Sequence, residues 1–233
     1  MNRFQIGAYC HDLERIDPIG IDRLTYLKVQ PSESAGLEVS VGVKSSKEGK
    51  KWQNVVSHIT LLGSEHMHVE KECQALQAMG FIVRVALPPN VFITGLDVEI
   101  DLMAYDFCET DRATFHSPLP AIQQALAFLH DHGVSLKRVH LGLTKKGKLY
   151  KNVLPGMTMG YGQRGELGKA IDVELYLENN PAAKIYYTSF RGIFQSFIYH
   201  VETGEWISYD DSRTLQSKIE WARHCGLSGV FFN

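Results

Sequence analysis

Tyr105 and Asp106 set a phenol beside a carboxylate at the end of an apolar run, D-L-M-A-Y-D over residues 101–106. Read at a period of two, Asp101, Met103, Tyr105 and Phe107 share one face of a strand, and Leu102, Ala104 and Asp106 share the other. In a parallel α/β barrel the C-terminal edge of a strand is the mouth where ligands bind, so the pair stands where a polar ligand could be held. The same pair also reads as part of a buried strand, with Tyr105 and Asp106 satisfying each other or nearby backbone. A strand pattern by itself does not choose between the two.

The other residue types with coordination or redox chemistry give less. His58, His66 and His68 fall in one stretch, but none is paired at the four-residue spacing of a helical metal site, and only His66 lies on an apolar stripe. Cys10, Cys73, Cys108 and Cys225 are scattered with no C-x-x-C pair, which argues against zinc and leaves two disulfides or four buried thiols open. No metal site and no cofactor are expected.

The elements that would position the Tyr-Asp pair alternate between strand and helix. Residues 4–10, 23–29 and 37–43 read as three strands. From Lys50 to Gly80, Trp52, Val55, Val56, Ile59, Leu62, His66, Val69, Cys73, Leu76 and Met79 recur every three or four residues, predicting one amphipathic helix, broken if anywhere at Gly63. Residues 81–89 form the next strand. Pro120 opens a helix whose buried face is Ile122, Ala125, Leu126 and Leu129, and Gly133 ends it. Val139–Leu143 is a strand. Lys184–Phe190, Gln195–His200 and Trp206–Tyr209 are further strands, with a hairpin turn at Glu202-Thr203-Gly204. A helix over Thr214–His224 and a strand over Leu227–Asn233 follow.

D-L-M-A-Y-D resembles the sixth-strand M-x-Y-D motif of glycoside hydrolase family 18, the chitinases and chitinase-like proteins. Trp206–Asn233 is similar to that family's end of barrel, where a Y-D-D turn precedes a helix with an inward lysine and a G-G-V-type strand. Gly133–Leu143 resembles the passage into the seventh strand, and the three matches fall in family order. Residues 4–10 and 23–29 resemble the first two strands, with Tyr9 and Tyr26 as the retained aromatics. The resemblance implies an α/β fold: a (β/α) TIM-type barrel, incomplete at about seven strands, with a small α+β insertion between strands seven and eight. The barrel would comprise residues 1–149 and 210–233, and the insertion residues 150–209.

One departure matters for chemistry. The family's fourth strand ends D-x-x-D-x-D-x-E, whose glutamate protonates the glycosidic oxygen, and no such motif occurs in the chain. Two alignments account for this. In the favoured one, residues 52–79 are helix and strand four is missing. In the other, His58–Ser64 is a shortened strand four that leaves Glu65 where the acid would be. Family 18 enzymes use the substrate's acetamido group as nucleophile, outside the two-carboxylate scheme. They still need the proton donor, and losing general acid catalysis forfeits about 10²–10⁴-fold. A phenol, ordinarily near pKa 10, is too weak an acid to replace it.

The resemblance therefore implies binding of chitin or N-acetylglucosamine oligomers with hydrolysis lost, and Tyr9, Met103, Tyr105 and Asp106 as ligand-binding residues. Lys44, Lys146 and Asn233 stand where the family commonly has aromatics, and an ammonium offers no stacking face. Two alternatives remain: a weakly active chitinase using Glu65 as its acid, and a non-enzymatic interaction protein with no sugar site that self-associates through an open barrel edge. A formal net charge of −2 gives no electrostatic reason to expect nucleic acid or an anionic membrane. No run approaches the roughly 20 apolar residues of a membrane span. Family members are usually secreted, but no signal peptide is visible at Met1, so localisation stays open.

Overall fold

Short runs rich in Val, Ile and Leu build a ring of eight strands: β1 (Gln5–Cys10), β2 (Arg23–Tyr26), β3 (Glu38–Val43), β4 (His58–Leu62), β5 (Ile82–Leu87), β6 (Glu99–Leu102), β7 (Val139–Leu143) and, near the end of the chain, β13 (Gly229–Phe232). The computed structural model describes residues 5–10, 23–26, 38–53, 57–63, 68–89, 91, 98–105, 107–190 and 193–233. The ring closes in the order β1-β13-β7-β6-β5-β4-β3-β2, and neighbours run parallel from β13 through β1, β2, β3, β4, β5 and β6 to β7. This is the TIM-type arrangement expected, with its connections shortened. β5 reaches β6 through residues 88–98, close to the minimum of about a dozen residues for a parallel crossover.

The strand count corrects the expectation of about seven. His58–Leu62 is a strand, paired with β3 on one side and β5 on the other, so the chain does have a fourth strand and the alignment without it fails. The predicted long helix shrinks to α1 (Ser46–Gly49), a 3₁₀ turn at Lys50–Trp52, and α2 (Val69–Ala78). The reason is that Ile59 and Leu62, three apart, continue a stripe of helical period, while the alternation of His58 and Thr60 with Ile59 and Leu61 runs for only five residues. Closure also removes the open edge on which self-association was premised, because a closed ring leaves no strand edge unpaired.

β4 and β5 show which way the strands face. A Cβ placed on Gly49 would overlap Leu76 of α2 and lie 3.6 Å from Ile59 Cδ1; one placed on Gly63 would lie 2.8 Å from Leu87 Cδ2 and 3.7 Å from Val69 of α2. Ile59, Leu61 and Leu87 therefore look outward to the helices, and burying each contributes about 1.5–3 kcal/mol. By alternation His58, Thr60 and Leu62 of β4 look into the barrel, with Arg84 and Ala86 of β5 and Asp101 of β6, their register neighbours.

Contact density divides the chain into two units: residues 1–104, 124–142 and 222–233, and residues 105–123 and 143–221. The second unit holds an antiparallel sheet in the order β10-β11-β12-β8-β9, formed by β8 (Gly147–Lys151), β9 (Glu166–Ile171), β10 (Lys184–Phe190), β11 (Ile193–His200) and β12 (Glu205–Tyr209). The last three match expectation, and the turn between β11 and β12 uses Gly204 at φ 66°. β8 and β9 were not foreseen. They carry a bulge between Lys148 and Tyr150, and β9 is mostly exposed, which removes the alternating burial that marks a strand in sequence. One sheet face packs Leu149, Ile198, Ile207 and Tyr209 with Val173, Tyr176 and Leu177 of α4 (Val173–Asn179). The other packs Tyr150, Phe197, Tyr199 and Trp206 with Ala113 and Phe115.

Two helices remain. α3 (Leu119–Asp131) buries Ile122, Ala125, Leu126 and Leu129 as predicted, and ends with Gly133 at φ 85°. α5 (Ser212–His224) starts beside Asp211, whose Oδ1 accepts from the Thr214 N–H at 2.8 Å.

Candidate functional site

The barrel interior is polar where its outer face is apolar. On β3 and β4, the fully buried hydroxyls of Ser40 and Thr60 are hydrogen-bonded at 2.8 Å. Thr60 neighbours Arg84, and Arg84 neighbours Glu99 across β5–β6; the guanidinium Nη2 lies 2.7 Å from Glu99 Oε2. One step toward the C-terminal ends, Leu62, Ala86, Asp101 and His140 line up across four strands. His140 Nδ1 lies 3.3 Å from Asp101 Oδ1, and both side chains are buried. Buried polar groups of this kind are costly unless partnered, so adjacent strands supply the partners.

This row explains part of D-L-M-A-Y-D. Asp101 is an interior residue paired with β7. The Met103 N–H extends the ladder by donating to the Leu87 carbonyl at 2.8 Å, and Met103 is half-buried at the strand's C-terminal end. Beyond it the strand reading needs correction. β6 ends at Leu102, the Ala104 N–H turns back to the Leu102 carbonyl at 2.8 Å, and Tyr105 sits in the turn, buried. The local bond to Leu102 breaks the two-residue alternation, so Tyr105 and Phe107 do not continue the face of Asp101 and Met103.

Of the other predicted residues, Tyr9 belongs to β1, three positions round the ring from β6; its side chain lies outside the described residues, as do Asp106, Glu65 and His66. His58 opens β4 and shares a 2.9 Å hydrogen bond with Ser57, and His68 is an exposed residue just before α2. Among the described residues no His, Cys, Asp and Glu group has the makings of a metal site. Cys73, Cys108 and Cys225 form no disulfide, which decides against two disulfides; burial pushes the Cys73 thiol up to about 12.

The second unit contains a charged cluster that sequence reading did not assemble. Lys218 of α5 donates to both carboxylate oxygens of Asp210, at 2.8 and 2.7 Å, and to the Ser117 carbonyl at 2.9 Å, so all three of its N–H groups are used. His116 Nδ1 lies 2.6 Å from Ser208 Oγ, which also accepts from the His116 backbone N–H at 2.9 Å, and Nε2 faces Asp210 Oδ2 at 3.4 Å. All five residues are buried. Burial alone would raise the Asp210 carboxyl, but the Lys218 ammonium, helped by His116, outweighs it and holds the group well below the usual carboxylate range. For His116 burial wins over the pull of Asp210, and the imidazole is held below its ordinary value. Ser208, His116 and Asp210 have the residue types of a nucleophilic triad, but the hydroxyl is fully buried and already committed to a backbone N–H, so it has no path to a substrate. The readable signals were H-S-P-L at residues 116–119 and Y-D-D at residues 209–211; their meeting across about a hundred residues was not.

Comparison with known proteins agrees with this geometry. No curated protein sequence matches the chain. Among solved structures, the fold is similar to a variant class V chitinase from Nicotiana tobaccum in complex with NAG4, at 14% identity and a TM-score of 0.74, covering 98% of this chain and 92% of that one. It is similar to a chitinase from Cycas revoluta in complex with (GlcNAc)3, at 14% identity and 0.70, covering 99% and 94%. It is also similar to a chitinase-like agglutinin from Robinia pseudoacacia, at 12% identity and 0.73, covering 97% and 94%. At these identities the likeness is one of fold. The sequence profile of glycosyl hydrolases family 18 matches residues 92–232, more than half of the 233 residues. The eight-stranded parallel ring, the sheet inserted after β7 and that profile together establish that the chain belongs to glycosyl hydrolases family 18, with a chitinase-like TIM-barrel fold.

Proposed function

We propose that this chain binds chito-oligosaccharide at the C-terminal mouth of its barrel without hydrolysing it, with Tyr9, Met103, Tyr105 and Asp106 as the contacting residues. The observation that carries this is the inward face of β4. In D-x-x-D-x-D-x-E the last three acidic residues recur every second position, so they share one face of the strand. The inward residues of β4 here are His58, Thr60 and Leu62, none of them a carboxylic acid, and Thr60 is committed to Ser40. Placing Glu65 at the motif's final position puts the two preceding aspartate positions at Leu61 and Gly63. Leu61 is fully buried on the helix side, and a Cβ on Gly63 would lie 2.8 Å from Leu87 Cδ2 and 3.0 Å from the Ala86 carbonyl oxygen, pointing to the helix side as well. A carboxyl within hydrogen-bond reach of the leaving oxygen, oriented by a neighbour, is what general acid catalysis requires. Relatives solved with N-acetylglucosamine oligomers, and one that is an agglutinin, support a sugar as the ligand.

The test is release of fluorophore from a fluorogenic chitobioside, run alongside chitotetraose binding. The expected result is binding without release. Release abolished by Glu65→Gln would favour a residual hydrolase, the second reading, which the presence of β4 three residues before Glu65 keeps open.

A further inference from the structure

Residues 107–117 follow the turn at Tyr105 and cross the aromatic face of the inserted sheet with neither helix nor strand among them. Their ends are tied together: the Phe107 N–H donates to the His116 carbonyl at 3.0 Å. The far end is then fastened from two elements distant in sequence. Ser208 of β12 accepts from the His116 N–H at 2.9 Å, and Lys218 of α5 donates to the Ser117 carbonyl at 2.9 Å while Asp210 holds its other two N–H groups.

We infer that Lys218, set by Asp210 and seconded by Ser208, is a positioning residue: it fixes the backbone at His116 and Ser117 and, through the Phe107–His116 bond, the turn that presents Tyr105. The inference rests on the reading that Tyr105 belongs to the ligand site, and it gives Tyr105 a support distant in sequence.

A buried ion pair adds little stability over well-packed apolar residues of similar volume, so stability alone does not account for Lys218 and Asp210. What an apolar pair cannot reproduce is the third N–H, given to the Ser117 carbonyl. That contrast supplies the experiment. The double variant Lys218→Met/Asp210→Leu leaves no unpaired buried charge but removes the bond to Ser117, and Ser208→Ala removes the acceptor of the His116 N–H with a minimal change of volume. Native-state hydrogen exchange is read at the Phe107 and His116 amides and across the barrel strands. The clasp predicts exchange about two- to tenfold faster at those two amides in both variants, as loss of one hydrogen bond allows, with barrel amides unchanged and chitotetraose affinity lowered in parallel. Wild-type exchange at Phe107 and His116 in Ser208→Ala, or in the double variant, would overturn it. A wild-type protein that binds no chitotetraose sinks the ligand-site reading alone, and the exchange comparison still decides the clasp.

Discussion

Among the described residues, buried Arg84, Asp101 and Lys218 are each tied to a partner from another part of the chain, Glu99, His140 and Asp210, and the cost of removing one partner follows from that. Lys218→Met would leave the Asp210 carboxylate buried opposite His116 without its cation. Breaking a buried pair in this way costs about 3–5 kcal/mol, so the urea midpoint of Lys218→Met should fall sharply, while Lys218→Met/Asp210→Leu should recover most of the loss. At the proposed ligand site the effect is smaller. Tyr105→Phe keeps the ring and removes one hydroxyl, so chitotetraose affinity should drop by the worth of one hydrogen bond, about 0.5–1.5 kcal/mol, with the fold intact by circular dichroism. Sequence pointed to D-L-M-A-Y-D but carried the strand past Leu102, where β6 ends. Asp101 is the interior partner of His140, and Tyr105 belongs to a turn. The single charged residue in I-V-R-V-A-L and the histidine in V-H-L-G-L were the available signs of a polar interior. Their partners could not be read, because register across strands is not written in either strand alone.

β4 is the element on which the functional reading turns, and its fit against α2 is testable. Gly63 sits 2.8 Å (measured from an added Cβ) from Leu87 Cδ2 and 3.0 Å from the Ala86 carbonyl oxygen, so Gly63→Ala should destabilise by about 1–3 kcal/mol through overpacking. Gly63→Asp, which restores a carboxyl at a motif position, should destabilise further and yield no release from a fluorogenic chitobioside. In the connection between β8 and β9, Gly160 combines a φ of 87° with an added-Cβ distance of 2.9 Å to both Trp206 and Val153. The legible elements were those with one clear period: α3 shows its buried stripe and its glycine stop. β4 was hidden because its alternation of His58 and Thr60 with Ile59 and Leu61 is short and Ile59 and Leu62 also fit a helical period, and β9 because its side chains are mostly exposed.

For the whole molecule, the cluster around Asp210 makes stability depend on acid. The folded His116 imidazole, facing Asp210, Ser208, Lys218 and Lys148, is held below its ordinary value, so the unfolded chain binds the proton first as pH falls. Its contribution is complete above the unfolded value of about 6.5 and is lost progressively below it. Asp210, also depressed, contributes fully above about 4 and is lost as pH falls further toward its folded value. The urea midpoint should therefore hold steady from pH 8 to about 7, decline below about 6.5 and steepen below about 4, and His116→Asn should flatten the upper part of that decline. The architecture was legible through the order of three motifs, because a barrel imposes sequence order on its strands. Closure was not, since it hinges on whether one five-residue run is strand or helix.

The central claim is that a sugar lodges at the barrel mouth and leaves unchanged. Isothermal titration of chitotetraose into the wild-type protein tests both halves in one trace: binding gives a heat that saturates, and turnover gives a baseline that stays displaced after each injection. The account predicts a saturable isotherm, weakened in Tyr105→Phe, with the baseline recovered every time. An absence of heat, or a sustained displacement that vanishes in Glu65→Gln, would contradict it.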